Sequence, residues 1–112
     1  MPVVSIIMPS LNVVSYIEEC LQSAINQTLK DIEIICIDAG STDGTREIIN
    51  KYVLADSRIK VIDSKIKSYG YQVNLGIHEA TGEYIGILET DDFVDSEMYE
   101  QLYNIAVKHD AD

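Results

Sequence analysis

The residues of this chain best suited to chemistry are carboxylates. Glu89-Thr90-Asp91-Asp92, with Asp95 close behind, interrupts an apolar run that ends at Ile87-Leu88. Like charges this close repel, so the cluster costs stability unless something neutralises it. From Ser68 to Val107 the chain has eight acids and no Lys or Arg. A bound cation is one candidate for the counter-charge. Hard ions such as Mg²⁺ and Mn²⁺ take oxygen ligands, often one or two carboxylates together with substrate phosphates. A solvated acidic loop, with Asp95 capping a following helix, fits the same spacing.

Three further segments carry polar groups in useful places. Asp38-Ala39-Gly40-Ser41-Thr42-Asp43-Gly44-Thr45 puts an acid ahead of a turn. Asp38 is suited to accept from a sugar hydroxyl or a base N–H, whereas Asp43 is better suited to capping a helix. No Gly-Lys-Ser/Thr follows, so this is not a P-loop. Pro9-Ser10-Leu11-Asn12 offers Ser10 and Asn12, either as turn-formers or as the floor of a pocket. Lys65-Ile66-Lys67-Ser68-Tyr69-Gly70-Tyr71 sets two lysines before a helix start, where a diphosphate could meet charge and backbone amides, or where a loop could simply be solvated. His78 and His109 have no partner pattern, and His78 reads as a helix-surface residue.

These segments must be positioned by something, and the chain alternates strands with helices. Val3–Met8 is a β-branched run closed by Pro9. A helix fits Ser15 to about Gln27, with Ser15 and Glu18 as a capping box. Asp31–Ile37 is a second strand. Thr42 or Asp43 opens a second helix running through Val53. Arg58–Ile62 is a third strand, and a helix from Tyr69 or Gly70 to Ala80 ends at Gly82 as a left-handed C-cap. Close approach of helix to sheet is the expected reason for Gly76. Glu83–Leu88 is a fourth strand, and Ser96 to about Lys108 a last helix. Such alternation predicts a parallel sheet covered by helices, an α/β fold. Ligands of these sheets bind beyond the carboxyl ends of the strands, which is where all four polar segments fall.

Composition narrows the possibilities. The 112 residues suffice for one domain, spanning 1–112. Eight basic and nineteen acidic residues give a net charge of −11, which argues against nucleic-acid binding and against docking on anionic lipid. No run approaches the roughly 20 apolar residues of a membrane span, and the start lacks the pattern of a signal peptide. Cys20 and Cys36 sit among apolar residues, as small buried hydrophobes of a reducing compartment do. A cytoplasmic domain is expected, one that in a full-length protein can work at the inner face of the membrane. The sequence stops at Asp112, just after a predicted helix, so a truncated domain is also expected.

Taken in order, P-S-L-N, I-N-Q-T, D-A-G-S-T-D-G-T, R-I-K-V-I, N-L-G-I, T-G-E-Y-I and E-T-D-D-F resemble the N-terminal half of a family 2 glycosyltransferase, from about Val3 to Tyr103. Each motif alone is weak; their order and spacing carry the likeness. The resemblance implies a three-layer α/β/α, Rossmann-like GT-A fold with a mostly parallel sheet. It implies donor binding for inverting transfer of a sugar from a nucleotide-diphospho-sugar, a UDP-sugar first among them, to a saccharide or lipid-linked acceptor hydroxyl in polysaccharide or glycolipid assembly. It implies Mg²⁺ or Mn²⁺ held by Asp91 and Asp92 at the place of the family's D-x-D motif, with Asp91 also touching the donor. Asp38 and the segment Pro9, Ser10, Leu11 and Asn12 would line the nucleotide pocket.

The chain departs from the family pattern at three positions. Leu11 stands where the pocket usually has Tyr, Ala39 where a second Asp is usual, and Val73 where a loop Arg is usual. The family's general base lies in the C-terminal half. The resemblance therefore places it beyond Asp112, and no catalytic base is expected within these residues. Two other readings remain: a non-catalytic interaction domain of the same fold, and a Mg²⁺-binding receiver domain, whose acidic pair would follow the first strand rather than the fourth.

Overall fold

The computed structural model describes residues 3–26 and 31–88. Four strands and three helices alternate: β1 (Val4–Ser10), α1 (Ile17–Ile25), β2 (Ile32–Asp38), α2 (Thr45–Ala55), β3 (Ile59–Asp63), α3 (Tyr69–Glu79) and β4 (Tyr84–Ile87). The strands form one sheet in the order β3-β2-β1-β4, with every pairing parallel. β1 and β2 lie at its centre and are buried along their whole length. That is why both read as continuous apolar runs rather than alternating ones.

Alternate residues of the central strands face different layers. Val4, Ile6, Met8, Ile32, Ile34 and Cys36 pack with Ile17, Leu21 and Ala24 of α1 and Ile49 of α2. Ile7, Ile35 and Ile37 form a second core on the opposite face, with Leu75 of α3 packed on it. The sheet is therefore covered by α1 and α2 on one side and by α3 on the other. At Gly76 the approach of α3 is closest: a Cβ there would sit 2.5 Å from Ile7 Cγ2 and 2.9 Å from Ile37 Cδ1.

Two expected helix ends form differently. Ser15 does not cap α1. A turn precedes the helix, in which the Tyr16 and Ile17 amides both donate to Val13 O. The amides before it are taken from across the fold: Val13 N donates to Thr45 Oγ1 at 2.9 Å and Val14 N to Asp43 Oδ2 at 3.1 Å. With those donors satisfied, Ser15 has no capping role, and Glu18 instead accepts from Tyr52 Oη at 2.9 Å. Gly82 is not a left-handed cap either; Gly40 and Gly44 are the described glycines with positive φ. α3 ends because Ala80 turns extended. Gly82 is small for another reason, since a Cβ on it would lie 2.8 Å from Ser5 N. At the second helix, Thr45 rather than Thr42 or Asp43 is the first helical residue; Gly44 precedes it at φ 105° and Asp43 Oδ1 accepts from its amide at 3.0 Å.

The foot of the sheet, opposite the ligand edge, holds a buried acid. Glu33 is 4% exposed on β2. Its Oε2 accepts from Ser5 Oγ at 2.5 Å, Thr81 N at 2.6 Å and Thr81 Oγ1 at 2.9 Å, and its Oε1 from Lys60 Nζ at 2.8 Å. Burial alone would raise its pKa, but the Lys60 ammonium and the Ser5 and Thr81 donors outweigh that and hold it at about 2. One carboxylate thus ties β1, β2, β3 and the α3–β4 connection together.

Candidate functional site

The strand order decides where a ligand goes. β1 has β2 on one side and β4 on the other. The chain leaves β1 and β2 toward one face and crosses back over the other through α3 to reach β4. Sheets of this kind bind ligands beyond the carboxyl ends at the point where the order reverses, which here is between β1 and β4. The loop after β1 carries Leu11 and Asn12, and the loop after β2 carries Ala39 to Gly44. Leu88, after β4, donates its amide to Ile7 O at 2.9 Å, which fixes the end of β4 beside the middle of β1. Glu89, Asp91, Asp92 and Asp95 come next in the chain and lie outside the described residues, as do the predicted helix from Ser96 and His109. Asp112 lies outside them too, and with it the expected place of the general base, which would follow it.

Among the described residues, the loops after β1 and β2 are zipped together. Asn12 N donates to Ser41 Oγ at 3.0 Å, and Thr42 N donates back to Asn12 Oδ1 at 2.8 Å. Asn12 has φ 52°, a left-handed conformation that Asn tolerates better than most residues. Ala39 N donates to Ser10 O at 3.1 Å. Pro9 and Ser10 are the last residues of β1, opposite Ile37 and Asp38 of β2. Ser10 is buried, and its Oγ donates to Met8 O at 3.2 Å. Leu11 is half-buried and Asn12 exposed at the rim. The Pro9–Asn12 segment thus lies at the carboxyl end of β1, with Asn12 serving as a latch between loops.

Asp38 ends β2 and is 3% exposed. Its Oδ1 accepts from Ser41 Oγ at 2.5 Å and Ser41 N at 3.2 Å. Its Oδ2 receives a long 3.4 Å bond from Arg46 Nη1, which also contacts Asp63 Oδ1 at the end of β3. The Asp63 and Asp38 carboxylates together hold the Arg46 pKa above its usual value against the opposing effect of burial. Asp43, by contrast, is tied to Thr45 and Val14; the Thr45 hydroxyl in particular lowers its pKa and keeps it a carboxylate. Cys36 lies just below on β2, buried and pushed up to about 12 by burial and by the nearby Asp38 charge, so its thiol is inert.

From the other face, α3 reaches the same edge. Gln72 is 5% exposed, and its Nε2 donates to Ser10 O at 3.2 Å and to Ile37 O at 2.9 Å, clasping the ends of β1 and β2. The lysine loop arrives as well: Lys67 Cε lies 4.0 Å from where a Gly40 Cβ would sit. Tyr69 and Tyr71 are exposed, and His78 is exposed on α3. The structure therefore gathers Pro9 to Asn12, Asp38 and Lys67 at one edge.

Arg46, Asp63 and Gln72 also belong to this edge and carry no motif that marks them. A signal for Arg46 was present: a cation in the first turn of a helix opposes the helix dipole and needs a reason to be there. Among the described residues, no group of three or more His, Cys, Asp or Glu is arranged to hold a metal ion. No helix among them is long and apolar enough to cross a membrane.

The comparisons with known proteins agree with this geometry. The glycosyltransferase EpsJ of Bacillus subtilis is 42% identical over 111 residues, which cover 99% of this chain and 32% of EpsJ. Staphylococcus aureus TarS, solved in complex with UDP, superposes with a TM-score of 0.84 at 27% identity over 96% of this chain and 33% of that one. The mannosyltransferase PcManGT of Pyrobaculum calidifontis, solved with GDP-Man and Mn²⁺, gives a TM-score of 0.81 at 27% identity, covering 99% of this chain and 33% of the other. The chain thus shares its fold with these GT-A glycosyltransferases and spans about a third of their length. Residues 5–112 match the family model described as Glycosyl transferase family 2, and the chain belongs to that family.

Proposed function

We propose that this chain is the donor-binding part of a glycosyltransferase that takes a nucleotide-diphospho-sugar with a divalent cation and transfers the sugar to an acceptor hydroxyl. One observation carries the reading. The β3-β2-β1-β4 order sets β4 beside β1, with Ile87 opposite Ile7, on the side of β1 where the order reverses and where such sheets bind nucleotides; the Glu89–Asp92 segment follows β4 in the sequence. The same order speaks against a receiver domain, whose sheet runs 2-1-3-4-5 and sets β1 beside β3.

Asp91 and Asp92 offer the hard oxygen donors that Mg²⁺ or Mn²⁺ prefers. An acidic chain needs such an ion to accept an anionic diphosphate. When bound, the cation supplies Lewis-acid stabilisation of charge on the leaving diphosphate. Asp38 and the Pro9–Asn12 segment form the nucleotide side, held rigid by the Asn12–Thr42, Asn12–Ser41 and Gln72 bonds before any ligand arrives. A preformed wall avoids much of the ordering cost of binding. In the PcManGT structure GDP-Man and Mn²⁺ occur together, and in the TarS structure UDP is bound, which supports donors of this class here. The acceptor is a saccharide or lipid-linked hydroxyl, the transfer inverts, and the work is done at the cytoplasmic side of a membrane. The general base belongs to sequence beyond Asp112.

The test is thermal stability of the full-length protein titrated with Mn²⁺ and then with UDP, GDP or dTDP. A ligand selective for the folded state raises the melting temperature, by about 2.7 kcal/mol of stabilisation at a hundred times its Kd. Metal-dependent stabilisation by one of these nucleotides is expected. Indifference to all three, with and without Mn²⁺, defeats the reading and favours an interaction domain of the same fold.

A further inference from the structure

Arg46 has a donor to spare at the edge where the nucleotide is proposed to lie. Its Nε is taken by Asn50 Oδ1 at 3.1 Å. Its Nη1 is shared by Asp38 Oδ2 and Asp63 Oδ1, the terminal residues of β2 and β3. Nη2, with two N–H groups, has no acceptor among the described residues. The Arg46 side chain as a whole is 29% exposed. Two carboxylates on adjacent strands therefore hold a planar guanidinium while leaving one arm open.

Neutralising Asp38, whose side chain is 3% exposed, accounts for one contact of this arrangement and not for the second carboxylate. Asp38 already has two donors from Ser41, and its bond from Arg46, at 3.4 Å, is longer than either. Asp63 is 73% exposed and is open to solvation. The pair with exposed Asp63 returns little electrostatically, and the first-turn position on α2 costs dipole energy. What the pairs do achieve is orientation, since a guanidinium held on one side has few remaining directions.

We propose that Arg46 reads the nucleobase of the donor, giving an Nη2 hydrogen bond to a ring carbonyl oxygen and so selecting keto bases, uracil or guanine, over their amino counterparts. The inference rests on the donor-binding reading above. A carbonyl oxygen accepts from the guanidinium, whereas the amino group of cytosine or adenine at the same place presents a second donor and leaves both unpaired. Sites built around a hydrogen bond reject analogues that cannot make it far better than apolar pockets reject a difference in size. Asp38 and Asp63 act as positioning residues for this arm.

The test is calorimetric binding to the full-length protein, with Mn²⁺, of UDP, CDP, GDP, ADP and ribose 5-diphosphate, which has no base. The unaltered protein is expected to prefer UDP over CDP, or GDP over ADP, by about ten-fold or more, the usual worth of a hydrogen bond to a charged group. Arg46→Met should bring that ratio to near one while ribose 5-diphosphate binds within about two-fold of before. Arg46→Lys, which keeps the charge without the fork, should recover only part of the ratio. A ratio unchanged in Arg46→Met overturns the proposal, as does a parallel loss for all five ligands, which would mark Arg46 as structural. An unaltered protein that binds none of them overturns the donor-binding reading itself.

Discussion

Asn12 and Thr42, thirty residues apart in the chain, are joined by a 2.8 Å hydrogen bond from the Thr42 amide to the Asn12 side-chain oxygen. The bond requires Asn12 to hold φ 52°. Two costs can be separated by substitution. Asn12→Gly loses the side-chain bond, worth about 1 kcal/mol net, but keeps easy access to positive φ. Asn12→Ala loses the bond and adds roughly 1 kcal/mol or more for a left-handed alanine. Urea unfolding should therefore rank Ala below Gly, the reverse of the order in a helix. Equal stabilities would show that the left-handed geometry is not held in solution.

The same substitution should have opposite signs at two glycines of α3. At Gly76 a Cβ meets Ile7 Cγ2 at 2.5 Å and Ile37 Cδ1 at 2.9 Å, both in the packed second core. Overpacking of this kind costs about 1–3 kcal/mol, so Gly76→Ala should lower the melting temperature by several degrees. Gly70 has nothing within 4 Å of its would-be Cβ. There the helix preference of alanine should act alone and stabilise by up to about 1 kcal/mol. Combining Gly76→Ala with Ile7→Ala should cost less than the two changes summed, because the second makes room for the first.

Acid should attack the foot of the sheet in a particular window. Glu33 has its pKa lowered from 4.5 to about 2 in the folded chain. A depressed acid pKa means the folded state favours the carboxylate. The stabilisation is complete above the unfolded value and is lost as pH falls toward the folded one. Stability attributable to this group should thus decline between pH 4.5 and about 2, by on the order of 3 kcal/mol in all. Glu33→Gln sets an amide N–H₂ against Lys60 or the Ser5 and Thr81 donors. It should destabilise the chain at pH 7 by about 3 kcal/mol, as loss of one partner from a buried pair does, and flatten the acid limb. Denaturant midpoints of both proteins from pH 7 to pH 2.5 check it; parallel curves would contradict the assignment.

Period and turn chemistry made the described elements legible in the sequence, because β1 and β2 are buried throughout and show it as unbroken β-branched runs. Their ends were legible to within about two residues, as pattern reading allows. What failed was anything that depends on contacts far apart in sequence. Ser15 looked like a cap because its neighbours matched the capping box; Asp43 and Thr45, about thirty residues on, took the amides near that helix start instead. Gly82 looked like a helix stop, yet its size answers to Ser5, seventy-seven residues away. At the site, Asp38 and Asn12 could be picked out because one ends a strand and the other sits just past one. Arg46 and Gln72 could not, because they reach the edge from helices, and only the fold shows which strand ends they touch.

The acidic cluster gives the last prediction. Changing Asp91 and Asp92 to Asn together removes two negative charges from a stretch with no Lys or Arg between Ser68 and Val107. If the pair holds a cation, Mn²⁺ should raise the melting temperature of the unaltered protein and leave that of the variant where it was. If the pair also repels itself in the absence of metal, the variant without Mn²⁺ should be as stable as its parent or more so, by up to about 1 kcal/mol, the worth of two close charges in water. The two readouts separate the readings. A variant that loses Mn²⁺ response but keeps its fold marks the carboxylates as a binding site. One that unfolds, even without Mn²⁺, marks them as caps and hydrogen-bond acceptors of the fold itself, because a carboxylate whose work is structural cannot be replaced by an amide without exposing the donors it served.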